Sequence, residues 1–316
     1  MNTSLLRILT AAAVSVSLLT IATSCSNDDD NNDTTFLPQP PVTPNTPQGP
    51  AGVNDFARYG ELTVLKYGLC NGDWSYGELH ENYAYTFNAD HLVDCVISVS
   101  TGVHNPIIYG DDKITVQHCG LGDVVEDEYV YFLENGRITH CTRNGKEMYR
   151  WEYDADGRVV RAVSLLTGGG IANAWRARWT ATGDLAEVVC EEVSDYAAGR
   201  ENFGDRVSFT YTTMPMLNPI AIKLPLNKPS TSTMLSLKLT PVLLAQGYYG
   251  NSVPAMLPSS ISEYDVSESA TLPAKVTDYR YTFDADGRVT RTEEMYTNGV
   301  GATNYYYGSC QTYEWR

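Results

Sequence analysis

The sequence predicts an all-β fold: a curled antiparallel meander or barrel-like sheet of repeated β-hairpins, with one Pro/Leu-rich excursion that carries a short helix. Three observations predict it. First, Trp151-Glu152-Tyr153-Asp154-Ala155-Asp156-Gly157-Arg158-Val159 recurs as Tyr281-Thr282-Phe283-Asp284-Ala285-Asp286-Gly287-Arg288-Val289, with six of nine positions identical. Second, Trp175, Ala177 and Trp179 alternate with Arg176 and Arg178, a period of two that puts apolar and charged groups on opposite faces of a strand. Third, runs such as Val93–Val99 and Ala186–Cys190 are rich in β-branched residues and bounded by turn formers.

The first segment, Met1–Ser24, has Arg7, an apolar run from Ile8 to Leu19 and the small-residue end Ala22-Thr23-Ser24 before Cys25. It reads as a secretory signal. Small residues directly before a cysteine resemble a bacterial lipobox, which implies cleavage before Cys25 and acylation of its thiol. Residues 25–52 then form a tether. Ser26–Asp33 is polar and acidic, and Pro38–Pro50 holds six of the 15 prolines, so no core can form there. Thirteen such residues in extended polyproline form span roughly 40 Å. The acidic cluster after Cys25 resembles the surface-export signal of Bacteroidetes lipoproteins. The expected location is the outer membrane, lipid-anchored and facing the medium, with a periplasm-facing anchor as the alternative.

Residues 53–316 are expected to form a single β-rich domain, long enough for a real core. Weaker repeats occur at Tyr85–Asp90, Leu133–Ile138 and Trp179–Leu185. In each, alternating apolar residues end a strand, an acid or amide starts a tight turn, glycine takes a positive φ and an aliphatic residue resumes pairing. The turn residues Asp154, Gly157, Asp284 and Gly287 therefore have a structural role. Asp90-His91 lacks the glycine, which makes the early hairpins the least defined. Seven prolines between Met214 and Ser260 interrupt the rhythm, an excursion at about 214–260 that cannot be continuous sheet. Within it, Thr240-Pro241, then Val242–Gln246 and Gly247, predicts a short helix with Thr as N-cap and Gly past its end. The excursion is expected to pack across or plug the curled sheet.

The aromatic-x-aromatic-Asp-x-x-Gly-Arg pattern resembles the tyrosine-aspartate (YD/RHS-type) repeats of shell-forming bacterial proteins. Together with Phe209–Pro215 and Tyr249–Ile261, the chain is similar to a Bacteroidetes lipoprotein family described as a domain of unknown function with porin-like fold. The resemblance implies a curved or barrel-like sheet on the cell envelope and no activity. It does not imply a membrane pore: Glu187 and Glu191 fall on one face of Leu185–Val193 and Glu192 on the other, and outward charge at a bilayer midplane costs about 2–4 kcal/mol each.

Composition excludes other classes. The chain has 22 Lys and Arg against 38 Asp and Glu, a formal charge of −16, and loss of Arg7 with the signal makes it −17. No basic cluster exists to bind phosphate, so nucleic acid is not an expected partner. Cys70, Cys95, Cys119, Cys141, Cys190 and Cys310 are expected to be buried thiols, with disulfides in an oxidising compartment the alternative. His118-Cys119 and His140-Cys141 give each strand face one ligand at most, and the spacing of structural zinc is absent. Asp154–Gly157 lacks the glycine and glutamate offsets of a calcium loop. No nucleophile elbow, phosphate loop or dinucleotide fingerprint occurs. No catalytic residue, metal or cofactor is expected.

All 22 tyrosines and 5 tryptophans lie beyond the tether, and Tyr248-Tyr249 and Tyr305-Tyr306-Tyr307 put aromatics on both faces of a strand or on a loop. Such rings suit sugars or peptides, which makes these five the candidate ligand-binding residues, although cross-strand pairing also accounts for them. The leading expectation is a noncatalytic surface module that binds a glycan or protein. A carrier of lipid or another hydrophobic molecule and a structural envelope scaffold are the alternatives.

Overall fold

In the computed structural model, residues 61–70, 74–120, 122–193, 205–217, 240–265, 268–297 and 299–316 are described. The signal, Cys25, the tether and residues 218–239 of the excursion lie outside them. The strands are β1 (Leu62–Cys70), β2 (His80–Phe87), β3 (Val93–Ser98), β4 (His104–Tyr109), β5 (Lys113–Cys119), β6 (Val125–Glu134), β7 (Arg137–Arg143) and β8 (Lys146–Tyr153). The second half comprises β9 (Val159–Leu165), β10 (Ile171–Trp179), β11 (Leu185–Val193), β12 (Arg206–Pro215), β13 (Met256–Tyr264), β14 (Lys275–Phe283), β15 (Val289–Thr297) and β16 (Tyr305–Trp315). Each pairs antiparallel with its sequence neighbours, and β1 pairs with β16 to close a sixteen-stranded barrel. Closure resolves the choice between open meander and barrel, and leaves no unpaired edge.

The barrel has two distinct ends. The connections after even-numbered strands, together with Glu61 and Arg316, lie at one end, the turn pole; those after odd-numbered strands lie at the loop pole. The backbones of Glu61 and Arg316 bond reciprocally at 3.0 and 2.9 Å, fastening the first and last strands.

The repeat turns line the turn pole. Phe87–Val93, Tyr153–Val159, Trp179–Leu185 and Phe283–Val289 are paired residues six apart, each beside a register shift. Within the strongest pair, Arg158 N donates to Asp154 Oδ1 at 2.8 Å and Arg288 N to Asp284 Oδ1 at 2.9 Å. The Arg158 and Arg288 guanidiniums close on the same carboxylates, and Gly157 and Gly287 both have φ 78°. The early hairpin forms without its glycine: His91 holds φ 60°, and its Nδ1 lies 2.8 Å from Glu61 Oε1. The Leu133–Ile138 copy differs, closing instead as a two-residue Asn135-Gly136 hairpin of type I′ character, with φ 52° and 74°.

Burial pushes the Asp284 carboxyl up, but its bonds from Arg288 outweigh this and hold it below the ordinary aspartate range. The stabilisation is present above the unfolded-state pKa and is lost as pH falls through the lower folded value. Asp284→Ala is expected to cost about 1–2 kcal/mol at pH 7 in urea denaturation. The penalty should shrink toward pH 3; an unchanged difference there would show that the carboxylate charge is not what holds the turn.

The aromatics before these turns also have a common task. Tyr109, Tyr211 and Tyr281 donate their hydroxyls to the carbonyls of Val93, Leu185 and Pro258 at 2.6, 2.7 and 2.7 Å. Trp179 and Trp315 donate Nε1 to Val159 and Val289 O, both at 2.8 Å, and Tyr153 reaches Ile138 O. Six even-numbered strands thus reach back to a carbonyl at or near the start of the preceding strand, which satisfies that oxygen inside the wall while the ring fills the interior.

Inside the turn pole sits the end of the excursion. Helix α1 (Pro241–Ala245) follows Thr240, and Gly247 has φ 81°, as the sequence predicts. The Thr240 hydroxyl makes no cap bond, however; it lies 2.9 Å from the Tyr131 hydroxyl of the wall. Val242, Leu243, Leu244 and Ala245 are buried in one core with Ile138, Trp151, Val159, Trp175 and Leu185. Asn251 N donates to Gly157 O at 2.9 Å, Ser252 Oγ accepts from Val159 N at 2.7 Å, and Asp184 Oδ1 accepts from Met256 N at 2.9 Å. These bonds seat 240–256 as a plug against the repeat turns.

The outer wall is different in kind. Arg161 and Arg176 pair with Glu191, and Arg178 and Arg206 with Glu187. Lys66 pairs with Glu314. Trp175 and Ala177 point into the core while Arg176 and Arg178 point out, the alternation expected from sequence.

Candidate functional site

The predicted aromatic residues do not form one site. Tyr249 is fully buried in the plug, edge-on to Trp151 at 5.3 Å, and accepts from Thr240 N at 3.3 Å. Burial pushes its phenol well above the ordinary tyrosine range, and no face of the ring is free for an external ligand. Tyr248 stacks on Tyr109 at 5.9 Å, also as part of the plug. Tyr305 stands toward the opposite pole, on the outer wall, where it donates to Asp278 Oδ2 at 2.6 Å and packs on Trp74 at 5.4 Å. The side chains of Tyr306 and Tyr307 lie outside what is described, as does Cys25. The turn residues Asp154, Gly157, Asp284 and Gly287 take the places described above.

The thiols and imidazoles have structural surroundings. Cys95, Cys119 and Cys141 are free thiols, Cys190 and Cys310 are buried, and burial pushes the Cys141 thiol up to about 12. A thiol so raised carries almost no thiolate at neutral pH and is a poor nucleophile. His140 stacks on Phe132 at 4.4 Å, and His118 Nδ1 lies 2.8 Å from Asn105 Oδ1. Among the described residues, no group of three metal-ligating side chains converges.

What remains accessible is concentrated at the loop pole. Of nine exposed large hydrophobic residues among those described, six stand there: Leu69, Val99, Val124, Val125, Leu272 and Val300. The other three are Tyr76 and Tyr83 on the outer wall and Ile108, which faces outward one residue from the turn-pole end of β4. None lies in a turn-pole connection, where the repeat turns and the plug saturate one another. Just inside the loop pole, charges are paired: Arg143 with Asp127, and Lys275 with Glu263 at 3.4 Å. Lys275 also lies 4.5 Å over the Tyr296 ring.

These six residues lie in or at the edge of five successive connections around the rim, from β13–β14 through β15–β16, β1–β2 and β3–β4 to β5–β6. The loops brace one another. Gly299 N donates to Ala274 O at 3.0 Å, Gly301 N to Pro273 O at 3.1 Å, and Val99 N to Asn82 O at 3.1 Å. The remaining described loops, Asn144-Gly145 and Leu166–Gly170, are polar or glycine-rich and add no large exposed apolar group. Sequence reading missed this arc because its members are one or two aliphatic residues at or beside a hairpin tip. The one local signal is a valine between two glycines at Gly299-Val300-Gly301.

Sixteen strands closed by next-neighbour pairing, with a helical plug in one pole and an apolar arc on the other, define a large plugged antiparallel barrel. The chain belongs to the family described as a domain of unknown function with porin-like fold (DUF4595), whose model matches residues 96–291. It is similar in structure to a porin-like protein from Bacteroides uniformis ATCC 8492, with TM-score 0.56 and 15% identity over 80% of this chain and 98% of that one. A porin-like protein from Bacteroides vulgatus ATCC 8482 matches at TM-score 0.49 and 11% identity over 81% and 99%. No curated protein matches the chain. The first of these likenesses concerns the fold alone. The outer wall described above carries paired charges, and each charge placed at a bilayer midplane costs about 2–4 kcal/mol.

Proposed function

We propose that the chain is a noncatalytic module of the cell envelope, anchored through an acylated Cys25 in the outer membrane, that binds a protein through its loop pole. The observation that carries this reading is the segregation of exposed apolar side chains to one end of the barrel. Exposed apolar side chains gathered on one end of a folded protein favour an interaction site there. All six residues are aliphatic, a composition that suits a protein surface better than a sugar, whose faces call for exposed rings. The lipid-carrier reading finds less support, because Val242, Leu243 and Leu244 of the plug fill the turn-pole half of the interior with packed side chains. The signal segment and Cys25 support the location.

Site-specific photo-crosslinking on the full, anchored chain in cells tests the reading. A crosslinker at Val124 or Val300 is expected to trap a protein, and one at Asp286 on the turn pole is not. Equal trapping at both poles, or trapping only at Asp286, would overturn it.

A further inference from the structure

The loop-pole arc combines its aliphatic residues with an unbalanced charge. Among the described residues of its five connections and their flanks, Glu78, Glu81, Asp123, Glu126 and Glu268 are exposed. No lysine or arginine occurs in the described parts of the connections themselves; at their flanks, Lys275 is paired with Glu263 and Arg206 of β12 donates to the Ala270 carbonyl. The basic groups nearest the β5–β6 tip are imidazoles: His104 Nε2 is 3.6 Å from Asp123, and His118 Nε2 is 3.9 Å from Glu126. At the strongest repeat turns and on the outer wall acids are matched. Arg158 and Arg288 close on the turn-pole aspartates, and arginines bracket Glu187 and Glu191 on the outer wall. Asp123-Val124-Val125-Glu126 gives the pattern in miniature, with two exposed valines between two exposed acids.

We infer that the partner presents a surface of aliphatic side chains interspersed with lysine or arginine, an inference that rests on the loop pole being the binding end. An apolar arc needs an apolar counterpart, and acids beside it favour cations in the same footprint, because complementary potentials raise association rate and exclude wrong partners. A second copy of this chain fits poorly: apposed arcs would set acid against acid, a juxtaposition that disfavours the pair. A lipid surface fits poorly as well, since segments that bind membrane interfaces pair an apolar face with basic residues, and this face is acidic. Ten strands at about 4.8 Å spacing give the arc roughly 48 Å of rim, enough for a partner footprint of standard size. Hydrogen bonds tie the β13–β14 loop to the β15–β16 loop and Val99 to β2, which reduces the ordering required there when the partner arrives.

The test uses the full anchored chain in phosphatidylcholine vesicles, with bare vesicles subtracted, and three synthetic peptides of equal length: alternating Leu/Lys, Leu/Glu and Ser/Lys. The Leu/Lys peptide is expected to bind saturably, and the other two at least tenfold more weakly. Val124→Asp and Val300→Asp, both on exposed side chains that the fold does not need, should each weaken Leu/Lys binding at least tenfold. Ile108→Asp on the outer wall should leave it unchanged. Equal binding of Ser/Lys, or indifference to the rim substitutions, would overturn the inference. Self-association or bare-vesicle binding abolished by Val124→Asp would assign the arc to a second copy or to lipid and overturn it too. If crosslinks form at Val124 and Val300 in cells while the Leu/Lys peptide fails to bind, the loop pole remains the binding end and the stated partner chemistry is wrong.

Discussion

Replacing Leu244 by alanine is expected to lower the stability of the barrel by about 2–5 kcal/mol, the range for deleting a fully buried leucine. For a domain of this size that is a fall in Tm of roughly 2–4 °C per kcal/mol. Leu244 has no accessible surface, and Leu243 beside it has none either. Helix α1 is five residues long, far below the length at which a helix holds together in water, so packing against the wall must supply its stability. The loss therefore falls on the whole fold. Ile108→Ala, on an exposed side chain of the outer wall, should change stability by no more than about 0.5 kcal/mol. Calorimetry on both variants decides the matter: a loss under about 1 kcal/mol for Leu244→Ala would make the plug a separable lid and would reopen the carrier reading.

The plug was legible in the sequence to an unusual degree because two local constraints bracket it, Pro241 and Gly247. A proline fixes φ at the first helical position, and a glycine accepts the positive φ past the last. The repeat was legible for the same reason, since Asp154 and Asp284 bond the backbone that follows them and Gly157 and Gly287 take φ values closed to most residues. Strand count and closure were not legible. They depend on β1 meeting β16 across most of the chain, and no local motif encodes that pairing. His91 shows another limit: a residue that predicts no positive φ adopts one because its hairpin is held from both sides, with Glu61 within hydrogen-bond distance of its ring.

The site was legible least. A tyrosine doublet reads as aromatic surface because adjacent residues on a strand face opposite ways, but Tyr248 and Tyr249 follow a helix, where the chain turns both rings into the core. The functional signal sat instead in isolated aliphatics such as Val99 and Leu272, which sequence alone cannot distinguish from strand ends. Barrel closure brings those isolated residues onto one rim. Location in the chain decides what they can do, and that location is a property of topology.

Gly250→Ala is the substitution expected to show how firmly the plug and the repeat turn depend on each other. Gly250 has φ 61°, and a Cβ there would stand 2.3 Å from the carbonyl oxygen of Gly157 and 3.1 Å from Arg137 Cδ. The nearer obstacle is backbone, and it belongs to the repeat turn whose carbonyl also accepts the Asn251 N–H at 2.9 Å. Relief requires the plug to lift or the turn to move. The left-handed conformation alone costs a non-glycine residue about 1–2 kcal/mol, and forced displacement of packed backbone adds about 1–3. Gly145→Ala supplies the comparison, because Gly145 has φ 76° with no atom within 4 Å of the added carbon and so meets only the first cost. Urea denaturation of the two variants should therefore place Gly250→Ala at least about 1 kcal/mol below Gly145→Ala. If the plug moves as one body, Gly250→Ala and Leu244→Ala together should lose less than the sum of their separate losses, since the first already loosens the packing that the second removes. Strict additivity, or equal losses for the two glycine variants, would mean that the plug is held by its leucines alone and that the repeat turn only adjoins it.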